Sequence, residues 1–213
     1  DDWLARLAEF KKQDYTPKDS DDFLTPHALV RAICEGTDKE TIYVTDVGQH
    51  QMWAAQYLSH TKSRDFLTSG GLGTMGYGYG AAIGAQVARP EKRVINIAGD
   101  GSLHMNCNEL ATLSEHNIPV IELLFNNSTL GMVRQWQKLF YDRRYSQTDL
   151  GRTTDFCKLA EAFGVKALRI ETRDQIEPTL REALAYNGPI LIDCRIDHDI
   201  NVLPMVPAGA SVE

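Results

Sequence analysis

Cysteine, basic residues and long apolar runs are scarce in this sequence of 213 residues. The four cysteines lie dozens of residues apart and form no CxxC pair, which favours reduced thiols over a disulfide framework or a zinc site. Lys and Arg number 22 against 29 Asp and Glu, and the net charge of −7 argues against binding to nucleic acid or to an anionic membrane. No run approaches the ~18 apolar residues of a membrane span. We therefore expect a globular protein of a reducing compartment, with neither nucleic acid nor membrane as a partner.

The start of the chain lacks an initiator methionine and any signal or transit pattern. Residues 1–25 are polar and charged, and a Thr-Pro-Lys-Asp-Ser run at 16–20 interrupts a short helical spacing of apolar residues. This pattern predicts a linker or lead-in over residues 1–25 and one domain over residues 26–213. We also expect the chain to be a piece cut from a longer protein.

From residue 26 onward, short apolar runs alternate with segments of helical periodicity. The apolar runs predict strands or extended pieces near residues 42–44, 65–68, 94–98, 120–125, 165–170 and 190–196. Helical spacing predicts helices near residues 26–36, 49–58, 77–88, 103–117, 130–141, 155–163 and 174–186. Mostly apolar strands that alternate with helices indicate an α/β fold, in which helices sandwich a parallel sheet.

Three of the predicted strands end in polar or glycine-rich segments, at the edge where parallel sheets bind their ligands. These segments are residues 46–50, 99–102 and 126–129. In the second segment, Asp100 lies between two glycines at the start of a helix, whose free backbone N–H groups suit an anion. An Asp beside an anion requires a bridging cation, and the sequence has no Lys or Arg between Arg93 and Arg134.

A divalent metal that joins Asp100 to phosphate oxygens meets this requirement, and hard oxygen ligands favour Mg²⁺. Asn127 adds a second, uncharged oxygen ligand at the end of the next strand. Two alternatives remain open on these residues. One is that Asp100 only caps the helix, and the other is that the GxGxxG run at 71–76 forms a dinucleotide site. The short, polar strand before that run argues against the dinucleotide site.

The sequence Gly-Asp-Gly at 99–101, followed about two dozen residues later by Asn-Asn at 126–127, resembles the motif of thiamine-diphosphate enzymes. Longer runs are similar to the catalytic subunits of acetohydroxyacid synthase (acetolactate synthase), at residues 45–53, 68–76, 130–136 and 204–207. The resemblance extends from about residue 1 to residue 210. It covers only the C-terminal, diphosphate-binding domain of that family, and not its N-terminal pyrimidine-binding domain or its middle domain.

The resemblance implies a role for each matching position. It implies that Asp100, Asn127 and the backbone carbonyl of Thr129 hold Mg²⁺, and that Met75 supports the bent cofactor from below. It implies contacts with thiamine diphosphate for Gly48, Gln49, His50, Gly73, Met75, Asp100, Gly101, Ser102, Asn127, Thr129, Leu130, Gly131, Met132 and Val133. Substrate contacts are implied for Met132 and Trp136.

By spacing alone, plainer interpretations stand beside three of these roles. The alternative for Met75, in a stretch of small residues, is that it fills the core, and for His50 that it starts a helix as a partly buried side chain. Trp136 shares a helical stripe with Val133 and Phe140, which favours core packing.

The resemblance also implies an activity that this chain does not complete. In the family, pyruvate is decarboxylated and condensed with a second 2-oxo acid, pyruvate or 2-oxobutyrate, in branched-chain amino-acid synthesis. The activating glutamate lies on the N-terminal domain of a partner subunit. We therefore expect no catalytic residue in this chain, weak or no cofactor binding by the chain alone, and no turnover.

The family further implies a homodimer or tetramer, a regulatory small subunit, a location in the bacterial cytoplasm, and FAD only in the full-length enzyme. Two other interpretations remain. One is a domain of another thiamine-diphosphate 2-oxo-acid decarboxylase, although the Gln-Trp pair at 135–136 argues against it. The other is a natural stand-alone subunit that binds the cofactor for a separate partner.

Overall fold

One parallel sheet runs through the residues that the computed structural model describes, which are 2–10, 12, 24–59, 62–151 and 153–211. Within them, six strands pair in the order β2-β1-β3-β4-β6-β5, and every pairing is parallel. The strands are β1 (Ile42–Thr45), β2 (Phe66–Thr68), β3 (Val94–Gly99), β4 (Ile121–Asn126), β5 (Lys166–Ile170) and β6 (Ile190–Arg195). The α/β fold predicted from the sequence is therefore confirmed.

Helices cover both faces of this sheet. In the described part of the chain they are α1 (Asp2–Phe10), α2 (Pro26–Gly36), α3 (Gln49–Tyr57), α4 (Tyr77–Ala88), α5 (Asp100–Asn106), α6 (Glu109–Glu115), α7 (Gly131–Phe140), α8 (Phe156–Ala162) and α9 (Ile176–Ala185). Helices α2, α3 and α9 pack on one face, and α4, α5, α6 and α8 pack on the other. None of these helices is both long enough and apolar enough to cross a membrane.

The central strands bury side chains on both faces, as their apolar runs predict. In β3, Ile95 and Ile97 pack among α2, α3 and α9, whereas Val94 packs on the side of α4, α6 and α8. Every residue of β1, β3 and β4 is buried. Because neither face of these strands meets water, a ligand can approach the sheet only at the strand ends.

Two of the predicted helices are wrong in their extent. The helix predicted over residues 103–117 is two helices, α5 and α6. The N–H groups of Leu110 and Ala111 donate to carbonyls three residues earlier, each at 3.1 Å, and this tight turn separates the two helices. The helix predicted near residues 174–186 begins as a 3₁₀ turn, Arg173–Gln175, before α9. The Gln175 N–H donates to the Thr172 carbonyl three residues earlier at 3.2 Å, and Gln175 Oε1 accepts from the Thr172 N–H at 3.3 Å.

Helix α1 stands apart from the two cores. All of its residues are exposed, including the apolar set at helical spacing, Trp3, Leu4, Leu7 and Phe10. Residues 1, 11 and 13–23, which make up much of the predicted linker, lie outside the described residues. The domain boundary at residue 25 stays a prediction.

Candidate functional site

A cleft opens at the carboxyl ends of β1, β3 and β4, where the chain order of the sheet reverses. From β1 the chain continues to β2 on one side, whereas from β3 it continues to β4 on the other side. The cleft is lined by Val47, Gly48, Gln49, His50, Trp53, Met75, Gly99, Asp100, Gly101, Ser102, Phe125, Asn127, Thr129, Leu130, Gly131, Met132 and Val133. The three strand-end segments singled out in the sequence therefore meet in one place.

The residues predicted to contact the cofactor all line this cleft except Gly73, which is exposed on the loop before α4. Of the two predicted substrate residues, Met132 lines the cleft but Trp136 does not. Trp136 is 51% exposed and meets Phe140 edge-on, with ring centroids 5.7 Å apart. Its interpretation as core packing is wrong, because α7 buries only Gln135 among its side chains.

Four lining residues were not predicted: Val47, Trp53, Gly99 and Phe125. They are apolar or lack a side chain, so their types carry no chemical signal in a sequence. Val47 and Gly99 lie within the strand-end segments 46–50 and 99–102, Phe125 directly precedes residue 126, and Trp53 lies about one helical turn after His50. These positions in the sequence are the signal from which they could have been found.

The carboxylate of Asp46 holds the loop that carries Met75. One of its oxygens accepts hydrogen bonds from the N–H groups of Val47 at 2.7 Å and Gly76 at 2.9 Å, and the other accepts from Gly78 at 2.9 Å. Asp46 directly follows β1, and only 2% of it is exposed. It therefore ties the start of α4 to the end of β1. Met75 is half-buried and lines the cleft, so it does not fill the core.

The imidazole of His50 lies between two glycines. A Cβ atom on Gly48 would come within 2.8 Å of His50 Cε1, and one on Gly99 within 2.8 Å of Nδ1. Burial lowers the pKa of His50 to about 3, against the opposing effect of a bond to the Asp46 backbone, so the ring is neutral at pH 7. Its buried Nε2 atom has no hydrogen-bond partner among the described residues. That atom is available to a ligand in the cleft.

Asp100 is the acidic side chain of the cleft, and only 3% of it is exposed. Burial raises the pKa of its carboxyl to about 7, although hydrogen bonds from the backbone N–H groups of Gly101 and Ser128 oppose that shift. No Lys or Arg is among the described residues that line the cleft. An ionised Asp100 therefore has no positive partner along the cleft wall, and a bound cation would supply one.

The loop after β4 brings amide and carbonyl oxygens to the same place. The chain turns at Ser128, whose φ is 59°, and the Thr129 N–H donates to Asn127 Oδ1 at 3.1 Å. Because the Ser128 backbone also bonds to Asp100, this loop and the end of β3 are directly joined. Asn127 and Thr129 are each 6% exposed, and the buried Thr129 Oγ1 has no partner among the described residues. A carboxylate, an amide oxygen and backbone carbonyls together form a donor set that suits Mg²⁺.

Two of the predicted diphosphate contacts use their side chains within the protein. The amide of Gln49 donates to Gln135 Oε1 at 2.9 Å. The hydroxyl of Ser102 accepts from the Gly99 N–H at 3.1 Å and donates to the Gly99 carbonyl at 3.0 Å. The sequence did not predict that the Gln135 side chain contacts the site, because its partner Gln49 lies 86 residues away.

Residues 46–194 of the chain match the family described as "Thiamine pyrophosphate enzyme, C-terminal TPP binding domain". The matched segment contains all three strand-end segments and the whole lining of the cleft. The chain belongs to this family. Membership of the thiamine pyrophosphate enzymes confirms the family resemblance seen in the sequence, and it leaves the GxGxxG run at 71–76 without support as a dinucleotide site.

This thiamine pyrophosphate domain is also similar, over nearly its whole length, to named enzymes. It is 50% identical to the "Probable acetolactate synthase large subunit" of Methanocaldococcus jannaschii, covering 97% of this chain and 36% of that protein. It is 44% identical to the "Acetolactate synthase isozyme 2 large subunit" of Escherichia coli K12, covering 99% of this chain and 38% of that protein. It is 42% identical to the "Acetolactate synthase catalytic subunit, mitochondrial" of Saccharomyces cerevisiae, covering 100% of this chain and 32% of that protein. The chain thus spans about a third of the length of these curated relatives.

Proposed function

We propose that this domain binds thiamine diphosphate through a Mg²⁺ ion held by Asp100, Asn127 and the backbone carbonyl of Thr129. The observation that carries the proposal is the buried carboxylate of Asp100, which lies against the Ser128 turn in a cleft with no basic residue among its described walls. A diphosphate and a carboxylate repel each other unless a cation lies between them. An uncharged amide oxygen from Asn127 completes the set without further negative charge.

The other walls of the cleft fit the remaining parts of the cofactor. The free Nε2 of His50 suits a diphosphate oxygen. Met75 reaches toward Gly101, since its Cε would lie 3.8 Å from a Cβ at that position, and this supports its role beneath the cofactor. The predominantly apolar start of α7, from Leu130 to Val133, suits the ring next to the diphosphate. When bound, thiamine diphosphate supplies the electron sink for decarboxylation of a 2-oxo acid.

We further propose that the complete protein forms acetolactate from pyruvate, as the names of its relatives indicate, and that 2-oxobutyrate is an alternative second substrate. The exposed Trp136 lies one helical turn after Val133, which lines the cleft, and this position suits a pocket that a second surface completes. In this proposal a partner subunit supplies that surface and the activating glutamate, in a homodimer or tetramer with a regulatory small subunit. FAD belongs to the complete enzyme and not to this domain.

The four cysteines are free, which suits a compartment that keeps thiols reduced, and we place the protein in the bacterial cytoplasm. The domain that binds the cofactor is residues 26–213, and residues 1–25 lead into it.

The activity is tested with the complete translation product of the gene, whether or not it extends beyond these residues, and with the 213-residue chain alone. Each is incubated with pyruvate, thiamine diphosphate and Mg²⁺, and acetolactate and acetaldehyde are measured. We expect acetolactate from the complete product and none from the chain alone. Acetolactate from the chain alone would contradict the requirement for a partner surface. Acetaldehyde without acetolactate would show instead a simple 2-oxo-acid decarboxylase.

A further inference from the structure

Three buried side-chain amides connect the C-terminal segment to a proposed metal ligand. They belong to Gln135, Gln49 and Asn127, which are 1%, 4% and 6% exposed. Gln49 bonds to Gln135 at 2.9 Å and to Asn127 at 3.2 Å, so the three amides form an unbroken chain of hydrogen bonds. At its far end, Gln135 bonds to the backbone of Val202.

The backbone of Val202 determines which way the Gln135 amide points. The Val202 N–H donates to Gln135 Oε1 at 2.8 Å, and the Val202 carbonyl accepts from Gln135 Nε2 at 2.8 Å. A backbone N–H can only donate and a carbonyl can only accept, so a reversed Gln135 amide would lose both bonds. Its oxygen is therefore the atom that faces Gln49.

The orientation of the Gln135 amide determines that of Gln49, which in turn favours one orientation of Asn127. Gln135 Oε1 accepts from Gln49 Nε2, which also donates to the carbonyl of Ile200 at 3.1 Å. Because the nitrogen of Gln49 is used by these two acceptors, its Oε1 is left to accept from Asn127 Nδ2. Asn127 then has its oxygen on the opposite side, where it accepts from the Thr129 N–H and keeps a second lone pair. That backbone N–H favours the same orientation of the Asn127 amide as the Gln49 bond does.

We propose that Gln135 is a positioning residue which, through Gln49, keeps the oxygen of the Asn127 amide available to the metal. This inference rests on the proposed Mg²⁺ site. An amide nitrogen carries two protons and no lone pair suited to a hard cation, so a reversed Asn127 would remove one ligand and direct N–H groups at the ion. Groups that orient metal ligands in this way typically affect metal affinity 10–100-fold.

The test compares three variants of the complete translation product. Gln135→Met has a similar size but ends the chain of amides. Gln86→Met is the matched control, because Gln86 is 3% exposed and donates to the carbonyls of Arg89 and Lys92, away from the cleft. Gln135→Glu is the conservative variant. Whether protonated or ionised, its carboxyl oxygen can accept from Gln49 Nε2, so the orientation of Asn127 is retained.

Mg²⁺ affinity is measured by calorimetry at saturating thiamine diphosphate, and the melting temperature of each variant is recorded. We expect Gln135→Met to weaken Mg²⁺ binding by about 10–100-fold. Gln86→Met should bind Mg²⁺ as the wild type does, whatever change it makes to the melting temperature. Gln135→Glu should bind Mg²⁺ more tightly than Gln135→Met. Equal Mg²⁺ affinities for Gln135→Met and the wild type would overturn the proposal.

A second measurement needs no metal and separates this inference from the proposed function. In the metal-free protein, NMR follows hydrogen exchange of the Asn127 side-chain amide. We expect slow exchange in the wild type and in Gln86→Met, and fast exchange in Gln135→Met. If the wild type binds no Mg²⁺, the proposed metal site fails, and this exchange pattern still decides whether Gln135 orients Asn127. Unchanged exchange in Gln135→Met would show that it does not.

Discussion

At the scale of single residues, the position of His50 depends on the absence of side chains at Gly48 and Gly99. Gly48 and Gly99 leave room for the ring, because a Cβ atom at either position would come within 2.8 Å of it. The ring is thereby held at the ends of both β1 and β3, buried and neutral. Because the ring approaches both backbones so closely, His50 can occupy this position only if residues 48 and 99 are glycines.

Gly99→Ala tests that dependence. The added methyl group must displace the His50 ring, and overpacking of this kind typically lowers the free energy of unfolding by about 1–3 kcal/mol. We also expect thiamine diphosphate to bind at least about tenfold more weakly, a change of ~1.4 kcal/mol. Denaturant titration and calorimetry measure the two effects. Unchanged affinity together with unchanged stability would mean that His50 does not occupy this position.

At the scale of elements, α4 contains glycines with opposite surroundings. A Cβ on Gly78 would lie 2.7 Å from Asn96 Oδ1 and 3.0 Å from Asp46 Oδ2, whereas a Cβ on Gly84 would meet nothing within 4 Å. Gly78 therefore lets the helix start close to the carboxylate that holds the Met75 loop. Gly84 serves no such contact and only adds flexibility to the unfolded chain.

Alanine substitutions at these two positions should change the free energy of unfolding in opposite directions. Gly84→Ala is expected to raise the free energy of unfolding by about 0.5–1 kcal/mol, because alanine is the better helix former. Gly78→Ala is expected to lower it by about 1–3 kcal/mol through overpacking. Urea denaturation of both variants checks the pair. If Gly84→Ala were the more destabilising of the two, the description of α4 would be wrong.

A buried acid pairs with an amide between neighbouring strands. Glu122 of β4 is 1% exposed and accepts from Asn96 Nδ2 of β3 at 2.6 Å. Burial raises the pKa of Glu122 well above its ordinary value of 4.5, and the bond from Asn96 opposes this only in part. The folded state therefore retains a proton that the unfolded state releases as pH rises above about 4.5.

Glu122→Gln should remove this pH dependence, because glutamine resembles the protonated acid. The free energy of unfolding of the wild type should fall relative to that of the variant as pH increases from 5 to 8. Denaturant titrations across this range measure the difference, with Glu115→Gln, an exposed position on α6, as the control. A constant difference between the wild type and Glu122→Gln across this range would contradict the raised pKa.

Elements were predictable from the sequence where the signal is local. The bounds of α2 and α4 agree with the periodicity, and the polar strand ends led to Asp100 and Asn127. The interruption between α5 and α6 was missed because the apolar spacing continues across it, with Leu103, Leu110 and Leu113 all buried. Contacts such as that of Gln49 with Gln135 were not predictable, since no local pattern shows that two residues 86 positions apart in sequence meet.

At the scale of the whole molecule, the chain is a thiamine pyrophosphate domain that spans about a third of the length of its curated relatives. Among the described residues, a buried hydrophobic core lies on each face of the sheet. On α7, the side chain of Val133 at the cleft and those of Trp136 and Phe140 further along the helix are exposed. A buried core together with exposed apolar side chains on α7 fits a domain whose active site needs further protein surface, as we propose.

Calorimetric titration of thiamine diphosphate into the complete translation product tests whether a divalent metal joins Asp100 to the diphosphate. The titration is made with Mg²⁺ and with excess chelator, on the wild type, on Asp100→Asn, and on Asp142→Asn as the control, whose side chain is 93% exposed. We predict binding by the wild type and Asp142→Asn that is lost in chelator, and at least about tenfold weaker binding by Asp100→Asn, since tenfold corresponds to ~1.4 kcal/mol. Undiminished affinity in excess chelator would show that the diphosphate binds without a bridging metal.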